Sequence, residues 1–196
     1  MNIKPFDKYE DYIALQKRKT EDPVRREKWL ANLEKVAEEF DGVFRPYKHL
    51  IKSKALCLGA RAGEEVLCLR KMRIDAIGVD LVPNGDLVIE GDVHDLIFED
   101  DAFEFIYTNI FDHVLQPKKF LKESMRVLKS GGIFFVQLQM GEKLDEFGVL
   151  LITSPKDFFD ISEEICETKT LVSEAPTYKT PSNHGLNWNV LLQKVA

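Results

Sequence analysis

ALCLGARAGEE, Ala55 to Glu65, is the stretch on whose reading the fold depends. Ala55 to Leu58 form a short apolar run of the kind a buried strand requires. Gly59 ends it, and Gly63 opens EEVLCLRKM, which has helical character. A strand that turns straight into a helix leaves the helix N-terminus facing the turn, where an anionic group is favoured. Glycine serves such a turn because it takes unusual backbone angles and lets a ligand come close. Alone, a Gly-x-x-x-Gly spacing is equally compatible with an ordinary strand-to-helix turn. Arg61 stands where a glycine-rich loop would carry a further glycine.

Outward from this turn the texture stays alternating. IDAIGVD (74–80), DLVIEGD (86–92), FEFIYTN (103–109) and IFFVQLQ (133–139) are strand-like. PKKFLKESMRVLKSGG (117–132) reads as a helix begun at a proline and stopped by two glycines. Strands alternating with helices predict an α/β fold, a Rossmann-like parallel sheet of about five strands flanked by helices. TKTLVSE (168–174) and LNWNVLLQKV (186–195) predict a C-terminal antiparallel hairpin that extends the sheet. Only LVPNG separates the second and third strands, too short for a crossover helix, which takes about a dozen residues. One face of the sheet is therefore short of cover. The N-terminal helices, expected over 8–40 with a break at TEDPV, are the candidates to supply it. Asp22 is placed to cap the second of them and Pro23 to begin it. Trp29, Leu30, Leu33, Val36, Ala37 and Phe40 form its core-facing stripe. We read one domain over 1–196: a helical cap (1–50), a cofactor-binding core (51–140), and a hairpin with substrate-side loops (141–196).

Composition narrows the function classes. With 33 acidic against 27 basic side chains the net charge is −6, whereas a general nucleic-acid binder usually carries a basic surplus. The basic run QKRKTEDPVRREK is interrupted by acids and reads as a solvated helix face. No apolar run reaches the roughly 18 residues of a membrane span, and MNIKPFDKYEDY lacks the apolar core of a secretory signal. Cys57, Cys68 and Cys166 are scattered and suggest reduced thiols. A cytoplasmic protein without nucleic-acid or membrane partners is expected, its oligomeric state undetermined.

Asp80 ends the second strand, where an acid characteristically accepts ribose hydroxyls in open α/β sheets. Asp92 ends the third, within reach of an adenine amine. With the opening turn, this ordered set resembles the class I S-adenosylmethionine-dependent methyltransferases, in particular the type 11 family. LCLGARAGEEV is similar to their first motif and AIGVDL to their ribose-binding strand end. EGDVHDLIFEDDAFEFIYTN is similar to their adenine loop and fourth strand, and LKSGGIFFVQ to their turn into the fifth.

The resemblance implies S-adenosylmethionine as cofactor. It implies that Gly59, Ala60, Arg61 and Gly63 form its loop, with Asp80 at the ribose and Leu81 on the adenine. Asp92 and Val93 would read the adenine edge, and Asn109 would lie near the methionine part. Two positions depart from the family: Cys57 replaces an acid that orients the methionine amino group, and Arg61 replaces a glycine. Arg61 either faces the methionine carboxylate or points to solvent.

NIFDHVLQP places Asp112 and His113 just after Asn109. His113 is a candidate general base for a hydroxyl acceptor with Asp112 orienting it, or else a structural histidine. His94 and His184 are weaker candidates. No metal-ligand set or Ser-His-Asp pattern is visible. The expected activity is methyl transfer to a small-molecule or sugar (glycan) hydroxyl. The alternatives are a non-catalytic binding protein of the same fold and an NAD-dependent oxidoreductase, which lacks its Gly-x-Gly-x-x-Gly spacing here.

Overall fold

The computed structural model describes residues 2–177 and 185–195. After a short strand β1 (Asn2–Ile3), three helices follow: α1 (Tyr9–Glu21), α2 (Pro23–Ala31) and α3 (Leu33–Phe44). The core then alternates as β2 (Lys54–Leu58), α4 (Glu64–Lys71), β3 (Asp75–Asp80), β4 (Val88–Glu90), β5 (Phe103–Thr108), α5 (Pro117–Val127) and β6 (Leu128–Leu138). A short strand β7 (Leu150–Leu151), helix α6 (Pro155–Ser162) and the strands β8 (Thr168–Glu174) and β9 (Trp188–Lys194) complete it. The main sheet has seven strands in the order β4-β3-β2-β5-β6-β9-β8. Its first five strands are mutually parallel, and β8 and β9 run antiparallel at one edge. The expected sheet and hairpin are both present.

The central strands are buried on both faces, so β2 is apolar from Ala55 to Leu58. Ala55 and Cys57 point to the layer of α3 and α4, where they pack with Phe44, Val66, Tyr107 and Phe135. Leu56 and Leu58 point to the other layer, with Phe120 of α5 and Phe158 of α6. The β3–β4 connection carries no helix, and α3 covers that face together with α4. Phe44 makes edge-to-face contacts with Tyr107, 5.0 Å between ring centroids, and with Phe105 at 6.3 Å. This aromatic wedge holds the N-terminal helices on the sheet.

Asp22 caps α2 as expected, its carboxylate accepting from the Arg25 N–H at 2.8 Å, with Pro23 at the first turn. Three expectations need correction. The second helix does not run unbroken to Phe40; it stops at Asn32, whose side-chain amide donates to the Lys28 carbonyl. Such local side-chain bonds compete with continuation of a helix. The break turns the apolar stripe: Ala37 and Phe40 are buried in the core, but Leu30 is exposed and Trp29 lines a cleft. LKSGG is not the end of α5 but the start of β6, because Leu128 takes an extended backbone and pairs with Phe103. The β1–β7 pairing, Asn2 with Leu151 and Ile3 with Leu150, has no counterpart in the sequence reading.

Phe44→Ala should destabilise the chain by about 3–5 kcal/mol, the usual cost of emptying a buried aromatic site. Urea unfolding measures this, and a loss below about 1 kcal/mol would show that α3 is not anchored there.

Candidate functional site

The turn after β2 is left-handed at three positions: Gly59 (φ 74°), Arg61 (φ 48°) and Gly63 (φ 91°). A Cβ on Gly59 would lie 2.5 Å from the Ile110 side chain, and one on Gly63 2.8 Å from Leu87. Both glycines are thus fixed by conformation and by space. Arg61 holds positive φ without that freedom, at a cost of about 1–2 kcal/mol. Neighbouring bonds offset this cost. The Gly59 and Ala60 N–H groups donate to the Val79 carbonyl at 2.8 and 3.1 Å, and the Arg61 N–H donates to Asp80 Oδ2 at 2.9 Å. Asp80 Oδ1 accepts from the Val82 N–H at 3.1 Å. One carboxylate therefore joins the loops that follow β2 and β3. Burial pushes the Asp80 carboxyl pKa upward, against these N–H donors.

Above the turn lies a cleft of about 630 Å³, closed on one side by α1 and α2. Of the expected residues, Gly59, Arg61, Asp80, Leu81, Asp92, Val93, Asn109 and His113 line it. Ala60, Gly63 and Asp112 stand behind the lining: Ala60 is fully buried, and Gly63 donates its N–H to the Ala60 carbonyl. Arg61 does not point to solvent. Its guanidinium lies 4.5 Å from the Trp29 ring and 3.0 Å from Glu64, and its side chain is only 18% exposed.

Asp92 is shared with the N-terminal helix. Tyr9 of α1 donates its hydroxyl to Asp92 Oδ2 at 2.6 Å, while Oδ1 accepts from the His94 N–H at 2.8 Å. His94 Nε2 accepts from the Gln116 N–H, so Nδ1 carries the proton and donates to Asp92 Oδ1 at 2.8 Å. Burial pushes the Asp92 carboxyl up, but the bonds from His94 and Tyr9 outweigh it and bring it to about 2. His94 is fully used in this cluster.

His113 sits in the short 3-10 turn after β5, with Nδ1 3.0 Å from the Phe147 carbonyl. A carbonyl only accepts, so Nδ1 bears the proton and Nε2 is left with the lone pair. The backbone therefore orients the ring. Asp112 does not: its carboxylate lies 3.6 Å from Nε2, on the opposite side of the ring. Nε2 also lies 3.3 Å from the Lys19 ammonium, whose pKa burial pushes down. His184 falls outside the described residues. Among those described, no group of His, Cys, Asp and Glu is arranged to hold a metal ion, and no helix is long and apolar enough to cross a membrane.

Residues 56–136 match the family described as a methyltransferase domain. The match runs from within β2 to within β6, less than half of the chain, and coincides with the parallel part of the sheet and the turn after β2. The nicotinamide alternative has no support in this match. No curated protein sequence matches the chain. Among solved structures, it is similar to the 1,6-didemethyltoxoflavin N1-methyltransferase of Burkholderia thailandensis, which was solved with S-adenosylhomocysteine. The TM-score is 0.72 at 14% identity, over 98% of this chain and 92% of that one. It is also similar to a possible histamine N-methyltransferase of Thermotoga maritima, with TM-score 0.63 and 16% identity over 93% and 100%. A third is a TehB-like methyltransferase of Corynebacterium glutamicum, with TM-score 0.65 and 19% identity over 88% and 100%. At such identities the likeness carries the fold and not the acceptor.

The sequence reading missed Tyr9, Gln16, Lys19, Trp29, Glu65 and Phe147. Lys19 lay hidden in a basic run read as solvated, and Trp29 in a stripe read as core. Only Glu65, directly behind the turn, had a signal worth following.

Tyr9→Phe should cost about 1.5–3 kcal/mol of stability at pH 7, the range for a hydrogen bond to a charged group. Because the folded-state pKa of Asp92 lies below its ordinary 3.8, this contribution is present above that pH and is lost toward about 2. Urea unfolding of both proteins should show the gap narrowing in that acid window. A gap independent of pH would contradict the assignment.

Proposed function

We propose that the chain transfers a methyl group from S-adenosylmethionine to a hydroxyl of a small molecule, with a sugar hydroxyl the favoured class. The observation that carries this reading is His113, whose backbone-held Nδ1 leaves Nε2 as a proton acceptor in the same cleft as the cofactor turn. Gln16, Thr20, Lys28, Asn109 and Gln139 line the cleft beside Trp29. Such a mixture of polar groups and one aromatic face suits a polyhydroxylated acceptor.

The residues fit the cofactor. A carboxylate has about four lone-pair sites. Asp80 uses one on each oxygen for the Arg61 and Val82 N–H groups, which leaves capacity for two ribose hydroxyls. Asp92 keeps capacity on Oδ2 for one more donor, such as an adenine amine. Leu81 and Val93 offer apolar contact for the base, while Gly59 lets the loop backbone approach the ligand. Arg61 faces the cleft with a positive charge suited to a carboxylate. When bound, the cofactor supplies the methyl group as an activated sulfonium substituent. His113 takes the acceptor's proton at Nε2, and an entering hydroxyl replaces Lys19 as partner of that nitrogen. Holding the reactants aligned supplies much of the remaining rate.

Two outcomes are expected. Asp80→Ala should weaken S-adenosylhomocysteine binding by about 1.5–3 kcal/mol in calorimetry, the range for bonds to a charged group, and unchanged affinity would place the ribose elsewhere. His113→Ala should lower methyl transfer by about 10²–10⁴-fold on a hydroxyl acceptor found in a panel of sugars, phenols and amines. Cofactor affinity should stay within about twofold, since the base does not hold the cofactor. Turnover confined to amines, or near-normal turnover in the variant, would contradict the hydroxyl reading.

A further inference from the structure

Glu65 is the most unusual charged group of the cleft. It is the second residue of α4, it lines the cleft, and it is only 3% exposed. Its neighbour Glu64 is also buried but pairs with Arg61 at 3.0 Å. Among the described residues no salt bridge reaches Glu65. Burial, followed by the charge of Glu64, pushes its carboxyl up to about 8. The groups that face it are Arg61 and Asp80 from the two loops, Glu64 on the helix, and the thiols Cys57 and Cys68. From α3, Asp41 acts on Cys68. Its own backbone N–H and the charge of Arg61, itself paired with Glu64, ease the carboxylate without offsetting its burial, an arrangement that is costly unless a ligand brings a further cation.

We infer that Glu65 receives the ammonium group of the cofactor's amino-acid end. This rests on the reading that the cleft binds S-adenosylmethionine. Arg61 and Glu65 line the same cleft and act on each other electrostatically, a cation beside an acid that a bound ammonium would ionise, the pattern that recognises a zwitterion carrying ammonium and carboxylate on one carbon. Cys57, the departure from the acidic position of the resemblance, is fully buried and within electrostatic reach of Glu65. The carboxylate missing from β2 is supplied from the first turn of α4. Burial favours the protonated form of Glu65 in the free protein. A bound ammonium favours the carboxylate, so binding transfers the Glu65 proton to solvent.

The test compares three ligands on the wild type and Glu65→Gln at pH 7, below the usual α-amino pKa of about 7.7–8.0. S-adenosylmethionine carries ammonium and sulfonium, S-adenosylhomocysteine carries only the ammonium, and 5′-methylthioadenosine carries neither. Calorimetry in buffers of different ionisation enthalpy should show net proton release with the first two on the wild type, and none on the variant. Glu65→Gln should weaken both by at least about tenfold and leave 5′-methylthioadenosine binding unchanged. The variant should be more stable than the wild type at pH 8, because it is spared the cost of holding a buried carboxyl, and the difference should close toward the carboxyl's ordinary 4.5. Equal losses for all three ligands would overturn the assignment, as would loss for S-adenosylmethionine alone, which would indicate a sulfonium contact. Binding of none of them to folded wild type would instead remove the cofactor reading itself, and the inference with it.

Discussion

The Asp80 carboxylate is the constraint on which the site depends. It ends β3, accepts the backbone N–H of Arg61 on one oxygen and that of Val82 on the other, and so fixes two loops at once. With the Val79 carbonyl held by Gly59 and Ala60, it stabilises a turn that is left-handed at three residues, one of them an arginine. The strain at Arg61 places its guanidinium against Trp29 and beside Glu64. Arg61 therefore builds part of the cleft wall.

The second consequence concerns α1 and α2. They reach the sheet's carboxyl edge through several separate contacts. Tyr9 bonds Asp92, Lys17 pairs with Glu90, Arg26 donates to the Pro83 carbonyl, and Lys19 meets His113. The Lys17–Glu90 pair is largely solvated and contributes little to stability; the partly buried Tyr9–Asp92 bond contributes more. These helices do two jobs. They roof the Gly59–Gly63 turn, and they bring Gln16 and Lys19 to the Phe147 carbonyl and the His113 ring.

How much of this was legible in the sequence depended on whether the signal was local. Each core strand was readable because a parallel strand buried on both faces must be apolar along its length, and the turn residues Gly59 and Gly63 mark a backbone that only glycine tolerates at no cost. Asp80 was readable by its place at a strand end, and Asp92, which lies two residues beyond β4 and not at its end, by its nearness to one. Tyr9, Lys19 and Trp29 were not, because each reaches the cleft through the packing of α1 and α2, and the break at Asn32 that turns Trp29 away from the core leaves no periodic trace. The boundary at Val127 was misread for a related reason: the pairing of Leu128 with Phe103 outweighs a local pattern that continues to the double glycine. His113 was placed correctly beyond β5, but its orienting partner is a backbone carbonyl distant in sequence, which side-chain spacing could not disclose.

A crystal structure with S-adenosylhomocysteine bound tests the central claim most directly. The expected result has both ribose hydroxyls on the Asp80 carboxylate and the adenine between Leu81 and Val93. The amino group should lie within hydrogen-bonding distance of Glu65, with the thioether sulfur facing the space beside His113 Nε2. Ligand density away from the Gly59–Gly63 turn, or a ribose with no contact to Asp80, would contradict the account.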